Sequence, residues 1–309
     1  MKRVFIDGSA GTTGLRIYER LSARPDIALL TLSDADRKDP EKRREMLNRA
    51  DAAFLCLPDA AAVEAVSLLE NPDTVILDAS TAHRTNPLWA YGFPELSDAH
   101  AAKIKSSKRI AVPGCHASGF VALVYPLVEA GLLPANALVS CTSLTGYSGG
   151  GKKMIADYEA ENREKWLDSP REYALTQTHK HLPEMKAVTG LANAPLFLPI
   201  VADYYSGMQV TVPLFAAQLL GTPEDVRAAY RRKYTGPIVR YVDLVDEIGY
   251  GNWSAGLDGM RVSVAGNGER ILLIANFDNL GKGASGAAVE CMNLAFGVHI
   301  TQGLTLEGE

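Results

Sequence analysis

The sequence predicts an α/β chain of two domains, a parallel-sheet domain followed by an α+β domain with a mostly antiparallel sheet. Three observations carry that expectation. Over the first third, short apolar strand-like runs alternate with helical patterns, as in βαβ units around a parallel sheet. The middle carries longer, partly alternating strands and fewer helices. The length, 309 residues, fits two domains of ordinary size.

Each element has its own warrant. Residues 4–6 read as a buried strand and 13–23 as a helix, with Leu15, Tyr18 and Leu21 along one side. Strands follow at 27–32, 53–57 and 74–77, separated by helices at 41–49 and 60–69. Runs such as Ala53-Phe54-Leu55-Cys56-Leu57 are apolar on both faces, as strands covered on each side should be. A further strand is expected at 109–112, before an apolar helix at 120–128. In the second domain, strands are expected at 138–144, 208–219, 238–245, 260–265 and 271–277, with helices at 152–164 and 223–234. The last apolar helix, 284–298, follows the glycine-rich Gly281-Lys282-Gly283.

Composition excludes several classes. Hydrophobic residues make up 47% and charged residues 22%, close to the average for soluble globular chains and unlike a disordered or collagen-like one. A net charge of −5 argues against a general nucleic-acid binder, which needs a concentrated basic face. No apolar run approaches the ~18 residues of a membrane helix. The start, Met1-Lys2-Arg3-Val4-Phe5-Ile6-Asp7, is too short in apolar residues for a signal peptide. The four cysteines, Cys56, Cys115, Cys141 and Cys291, have no metal-like or disulfide-framework spacing. A cytoplasmic protein without a metal is expected.

The first strand runs into Asp7-Gly8-Ser9-Ala10-Gly11-Thr12-Thr13-Gly14 and then a helix. Gly8, Gly11 and Gly14 give a tight turn, close backbone approach to a pyrophosphate and close helix packing. The helix start, with Thr12 and Thr13, offers free N–H groups to phosphates. The position, at the first βα turn, favours a dinucleotide in a Rossmann domain. After the second strand comes Leu32-Ser33-Asp34-Ala35-Asp36-Arg37-Lys38. Asp34 suits a ribose hydroxyl, whereas Ser33, Arg37 and Lys38 suit a 2′-phosphate. The balance favours NADP(H). The alternative is a solvated charged loop.

Pro113-Gly114-Cys115-His116-Ala117-Ser118-Gly119 puts Cys115 on a sharp strand-to-helix turn. A helix start favours the thiolate, and its backbone N–H groups can hold an oxyanion. Cys56, Cys141 and Cys291 sit in apolar elements and read as core. A nucleophilic cysteine with a nicotinamide cofactor implies a thioester coupled to hydride transfer. Proton transfer needs a base, and Thr178-His179-Lys180-His181 is the densest histidine segment. Candidate cations for binding a carboxylate or phosphate are Arg84, just past a strand end, and Lys152, which with Gly151 opens a helix after Gly149-Gly150. Their ordinary readings are a surface arginine and a flexible loop.

These motifs together resemble N-acetyl-gamma-glutamyl-phosphate reductases, in their shorter, type 2 branch. The matching stretches are FIDGSAGTTGL (5–15), CLPDAAAVEAV (56–66), LDASTAHR (77–84), YGFPEL (91–96), VPGCHASG (112–119), TGYSGGGKKMI (145–155), HKHLPEM (179–185), VPLF (212–215) and NFDNLGKGASGAAVECMNL (276–294). The resemblance implies a catalytic domain like those of glyceraldehyde-3-phosphate and aspartate-semialdehyde dehydrogenases. It implies NADPH-dependent reduction of N-acetyl-L-glutamyl 5-phosphate to the 5-semialdehyde in arginine biosynthesis. It implies Cys115 as nucleophile, His181 in preference to His179 as acid/base, and Asn279 and Gly281 near the nicotinamide. A homodimer or homotetramer is implied as well. The chain departs from the family where His116-Ala117-Ser118 replaces the commoner Tyr-Pro-Thr, and where Val112 replaces a frequent Asn.

The expected boundaries are 1–114 for the nucleotide domain, completed by a C-terminal helix 284–309, and 115–283 for the catalytic and oligomerisation domain. Two rivals remain. One is a related dehydrogenase acting on aspartyl phosphate or a carrier-linked substrate of lysine biosynthesis. The other is a nucleotide-binding regulator without catalysis, which the intact Cys115 and histidine segment oppose.

Overall fold

The computed structural model describes residues 1–244 and 248–308. Two compact units emerge. The first comprises Met1–Gly114 and Ala284–Leu304, and the second Cys115–Gly283 and Thr305–Glu309.

In the first unit, β1 (Lys2–Asp7), α1 (Thr12–Ser22), β2 (Ile27–Leu30), α2 (Pro40–Arg49), β3 (Ala52–Leu55), α3 (Asp59–Ser67) and β4 (Val75–Asp78) alternate as expected. Then come β5 (Ala90–Tyr91), α4 (Asp98–Ser106) and β6 (Arg109–Ala111). All six strands are parallel, in the order β2-β1-β3-β4-β6-β5. The order reverses at β1, whose carboxyl end enters the glycine loop, and such a reversal is where open α/β sheets bind ligands. β3 and β4 are buried at every residue, which explains their unbroken apolar runs. Asp39 caps α2 by accepting from Glu41 N–H at 2.8 Å, with Pro40 at the first helical position.

The second unit holds α5 (Cys115–Glu129), β7 (Ser140–Gly146), α6 (Gly151–Glu159), β8 (Arg171–Glu172), α7 (Leu182–Thr189), β9 (Leu196–Ala202) and β10 (Met208–Phe215). It continues with α8 (Pro223–Lys233), β11 (Val239–Tyr241), β12 (Met260–Gly266) and β13 (Arg270–Phe277). The sheet order is β11-β12-β13-β10-β7-β9-β8. Four neighbouring pairs are antiparallel, while β7–β9 and β11–β12 are parallel. One face buries Cys141, Phe197, Val210, Val212 and Leu273, with α5 against β10 and β13. The opposite face presents Leu144, Leu198 and Ile200 half-buried, and Leu196 and Leu272 exposed.

Several expectations are corrected. The helix expected at 120–128 begins at Cys115. Gly119 inside it is a packing glycine, since a Cβ there would lie 2.4 Å from the Val210 side chain. β9 and α7 were not anticipated. Pro199 weakens the strand pattern of β9, but β8 pairs only with Val201 and Ile200, so proline is tolerated at this margin. The strand expected at 208–219 ends at Phe215, where the Gln218 side chain takes the Phe215 N–H. The helix expected at 152–164 ends at Glu159. Only 239–241 of the strand expected at 238–245 is a strand, and its last residue lies outside the described residues.

The terminal segment 284–309 is likewise shorter as a helix. Here α9 (Gly286–Phe296) follows a wide turn at Gly281–Ser285 and stops at Gly297, whose φ of 67° is left-handed. Arg24 then ties the first unit together, donating to Asn293 Oδ1 at 2.6 Å and to the Gln302 carbonyl at 3.2 Å. From Thr305 the chain joins the second unit instead. Asp258 N–H donates to the Thr305 carbonyl (2.7 Å), and Thr305 N–H donates back to Asp258 Oδ2 (2.9 Å).

Candidate active site

The glycine loop is built for close approach. Gly8 has φ +88°, and a Cβ on it would lie 2.3 Å from the Cys56 carbonyl oxygen. A Cβ on Gly14 would lie 2.4 Å from the Gly8 carbonyl oxygen. Gly11 N–H closes the turn on the Gly8 carbonyl at 2.9 Å. No side chain caps α1, so its first N–H groups point out uncapped. The buried Thr12 Oγ1 has no hydrogen-bond partner in the protein. A side-chain-free cradle with an orphaned hydroxyl at a helix start fits a dinucleotide pyrophosphate. Cys56, expected as core, is half-buried just past β3 beside this loop, and burial of its sulfur pushes the thiol up to about 12.

After β2, the structure brings Ser33, Arg37 and Lys38 into one exposed turn. Arg37 N–H donates to the Ser33 carbonyl at 3.0 Å. Ser33 Oγ donates to Asp36 Oδ2 at 2.7 Å, and Arg37 pairs with Asp34 at 3.2 Å. These are solvated contacts of small energetic value, which a ligand phosphate can replace.

Cys115 is the first residue of α5, where the helix dipole favours an anion. It is partly exposed, whereas Cys141 and Cys291 are buried. A Cβ on Gly283 would lie 3.0 Å from Cys115 Cβ, so glycine there keeps space beside Cys115. The sequence marked Gly283 only as part of a glycine-rich turn.

Three histidines gather within the second unit. Ring centroids of His179 and His181 are 4.7 Å apart, and His116 lies 5.5 Å and 5.6 Å from them. His179 Nδ1 accepts the His181 backbone N–H at 3.1 Å, at the entry to α7. Burial, then the Lys180 charge, lowers His179 to about 4. His181 is buried at 5% exposure. His116 is held at both ring nitrogens, Nδ1 by Ser143 Oγ (2.7 Å) and Nε2 by Tyr173 Oη (2.6 Å). Burial first, then His179 and Lys180, pushes it down to about 3. Sequence reasoning missed His116, Ser143 and Tyr173 as members of this site. The signal available was the third histidine next to Cys115.

The turn after β13 is a rigid knot. Asp278 Oδ2 accepts from Gly256 N–H (2.6 Å) and Ser206 Oγ (3.1 Å), and Oδ1 accepts from Leu280 N–H (2.8 Å). Asn279 Oδ1 accepts from Gly207 N–H (2.9 Å), and its Nδ2 donates to Ser148 Oγ (2.9 Å). The Asn279 side chain, expected at a nicotinamide, thus bridges the loops after β9 and β7. Gly281 is explained by packing, because a Cβ would lie 2.1 Å from the Leu257 carbonyl oxygen. The Ser148 bond steadies the loop into α6, where Gly151 takes φ +72° and Lys152 is exposed on the first turn. Among the described residues, no group of three or more His, Cys, Asp or Glu is arranged to hold a metal ion.

Arg84 is the cation expected at the substrate. It is buried, with Nε donating to the Val112 carbonyl and Nη2 to the Ala79 carbonyl, both at 2.9 Å. That is an anchor between the chain ends of β4 and β6. Arg84→Met is expected to cost about 2–3 kcal/mol through unsatisfied carbonyls, read as a lowered unfolding midpoint. An unchanged midpoint with a tenfold higher substrate KM would instead return Arg84 to the substrate.

The semialdehyde dehydrogenase NAD binding domain matches residues 3–104, and the semialdehyde dehydrogenase dimerisation domain matches residues 115–279. The fold is also that of aspartate semialdehyde dehydrogenase II from Vibrio cholerae, with a TM-score of 0.72 at 16% identity over 96% of this chain and 98% of that one. An aspartate semialdehyde dehydrogenase with NADP from Candida albicans superposes with a TM-score of 0.66 at 15% identity over 95% of this chain and 98% of that one. The class is therefore semialdehyde dehydrogenase. An N-acetyl-gamma-glutamyl-phosphate reductase of Burkholderia ambifaria is 44% identical, over 96% of each chain. N-acetyl-gamma-glutamyl-phosphate reductase 2 of Pseudomonas putida is 43% identical over 95% of this chain and 96% of that one. The chain belongs to the N-acetyl-gamma-glutamyl-phosphate reductase family.

Proposed function

We propose that this is a cytoplasmic enzyme that reduces N-acetyl-L-glutamyl 5-phosphate with NADPH to N-acetyl-L-glutamate 5-semialdehyde, releasing phosphate, in arginine biosynthesis. The observation that carries the chemistry is Cys115 at the first residue of α5, in the same unit as the clustered His116, His179 and His181. The names of relatives at 43–44% identity support the substrate.

Cys115 attacks the acyl phosphate carbon, forming a C–S bond as the C–OP bond breaks and phosphate leaves. NADPH, when bound, supplies the hydride that takes the acyl group to the aldehyde level. His181 takes the thiol proton and returns a proton when the C–S bond breaks. His179 is the weaker choice, because its Nδ1 is engaged by the helix entry. Gly8, Gly11, Thr12, Thr13 and Gly14 hold the pyrophosphate, and Lys152 with the Gly151 turn holds the phosphoryl group. Residues Ser33, Arg37 and Lys38 hold the 2′-phosphate. A homodimer or homotetramer forms through the sheet face bearing Leu144, Leu196, Leu198, Ile200 and Leu272, an apolar surface of the kind association buries.

Two tests follow. With phosphate and NADP, N-acetyl-L-glutamate 5-semialdehyde is expected to give a far higher kcat/KM than L-aspartate 4-semialdehyde. Turnover of the aspartate compound alone overturns the substrate reading. The substitution Arg37→Ala is expected to raise the NADPH KM about tenfold, the loss of one charge-assisted contact, with NADH use within about twofold. Equal losses with both cofactors contradict the 2′-phosphate assignment.

A further inference from the structure

His116 is not needed as a base in the scheme above, yet it is the residue next to the nucleophile and is buried at 3% exposure. Both its nitrogens are used, one by Ser143 from β7 and one by Tyr173 beyond β8. A buried imidazole held neutral has one donor and one acceptor nitrogen, so the bonds on its two sides are coupled. If Ser143 donates to Nδ1, then Nε2–H donates to the Tyr173 oxygen, and the phenol proton is turned toward a third group.

Tyr173 is well placed to use that proton. It is half-buried, its backbone N–H is fixed to the Pro199 carbonyl at 3.1 Å, and its phenol is pushed up by burial and then by the charge of Cys115. The segment that follows is strained, with Ala174 at φ 53° and Gln177 at φ 57°. Two bonds of the Gln177 side chain to the Phe197 backbone, at 2.7 Å and 2.9 Å, hold it there. Non-glycine residues in this region persist where the surroundings over-determine them, most often at functional sites.

We propose that Tyr173 is a further catalytic residue, a hydroxyl donor to the oxyanion that develops on the acyl carbon at Cys115, and that His116 is the positioning residue that aims it. This rests on Cys115 being the acylated nucleophile. No proton is transferred by the pair. It lowers the energy of the negatively charged oxygen in the tetrahedral state.

The test uses the full chain in four forms: His116→Gln, His116→Asn, Tyr173→Phe and the double variant His116→Asn, Tyr173→Phe. Glutamine places its amide where Nε2 lies and asparagine where Nδ1 lies. The acyl probe is p-nitrophenyl acetate, read as the burst of p-nitrophenolate when Cys115 is acylated, so it does not depend on the natural substrate. The alkylation rate with iodoacetamide, which passes through no oxyanion, controls for a folded and reactive thiol. Tyr173→Phe and His116→Asn are each expected to slow acylation about 100-fold, the size of one lost oxyanion donor. Alkylation should stay within twofold of the parent. His116→Gln should restore acylation to within about fivefold, and the double variant should be no slower than the single ones. Equal slowing of acylation and alkylation, failure of glutamine to rescue, or multiplying losses in the double variant each overturn the proposal. A normal acylation pattern without turnover of N-acetyl-L-glutamate 5-semialdehyde supports the proposal and refutes only the substrate reading.

Discussion

Replacing Cys115 with serine is expected to lower turnover by at least about four orders of magnitude, with NADPH affinity within about twofold of the parent. A serine hydroxyl has the right size but far less nucleophilicity, and a serine ester accepts hydride poorly compared with a thioester. Structural damage should be small, because Cys115 is partly exposed and stands at a helix start rather than in a core. The residues proposed to hold the pyrophosphate and 2′-phosphate, at Gly8–Gly14 and in the turn after β2, belong to the other unit, so binding should survive. Steady-state rates and fluorescence titration with NADPH read the two quantities separately. Retained turnover would remove Cys115 from the chemistry, and lost binding would show that the substitution acts on the fold.

The next largest effect is expected at His181. His181→Asn should reduce kcat by 10²–10⁴-fold, the usual worth of a positioned acid/base group. His179→Asn should cost less than about tenfold. The difference comes from geometry. His179 Nδ1 is the acceptor for the first N–H of the α7 entry, and asparagine can supply an oxygen there. Burial also holds His179 down at about 4, which makes it a poor proton acceptor near neutral pH. The measurement is kcat for both variants with saturating cofactor. A larger loss at His179 than at His181 reverses the assignment.

The local chemistry of this protein is largely written in short stretches. Gly8 and Gly14 announce close approach, and the structure shows carbonyls within 2.4 Å of where their side chains would be. Cys115 stands on a turn whose sequence, Pro113-Gly114, says strand-to-helix. What was not legible depends on distance in space. Tyr173 is 57 residues from His116 along the chain, and its bond to it is set by β8, β9 and the Gln177 clamp. Arg84 reads as a ligand cation in sequence, and nothing local reveals that two backbone carbonyls also accept from its Nε and Nη2. Asn279 is similar, since Gly207 and Ser148 reach it only through the folded sheet. The helix start at Cys115 was obscured by Gly119, whose role is contact with Val210 and Phe277. Periodicity could not mark the stop of α9 at Gly297 or the return of Thr305 to Asp258.

The proposed reaction turns on a Cys115 thioester carrying an N-acetylglutamyl group. It is tested most directly in the oxidative direction with phosphate left out. N-acetyl-L-glutamate 5-semialdehyde and NADP are mixed with enzyme, and NADPH is followed by absorbance while the quenched protein is weighed by mass spectrometry. The expected result is a burst of about one NADPH per active site. A matching N-acetylglutamyl adduct should map to Cys115, and added phosphate should discharge it. A burst without the adduct, or an adduct that persists in the Cys115→Ser protein, removes the thioester from the reaction.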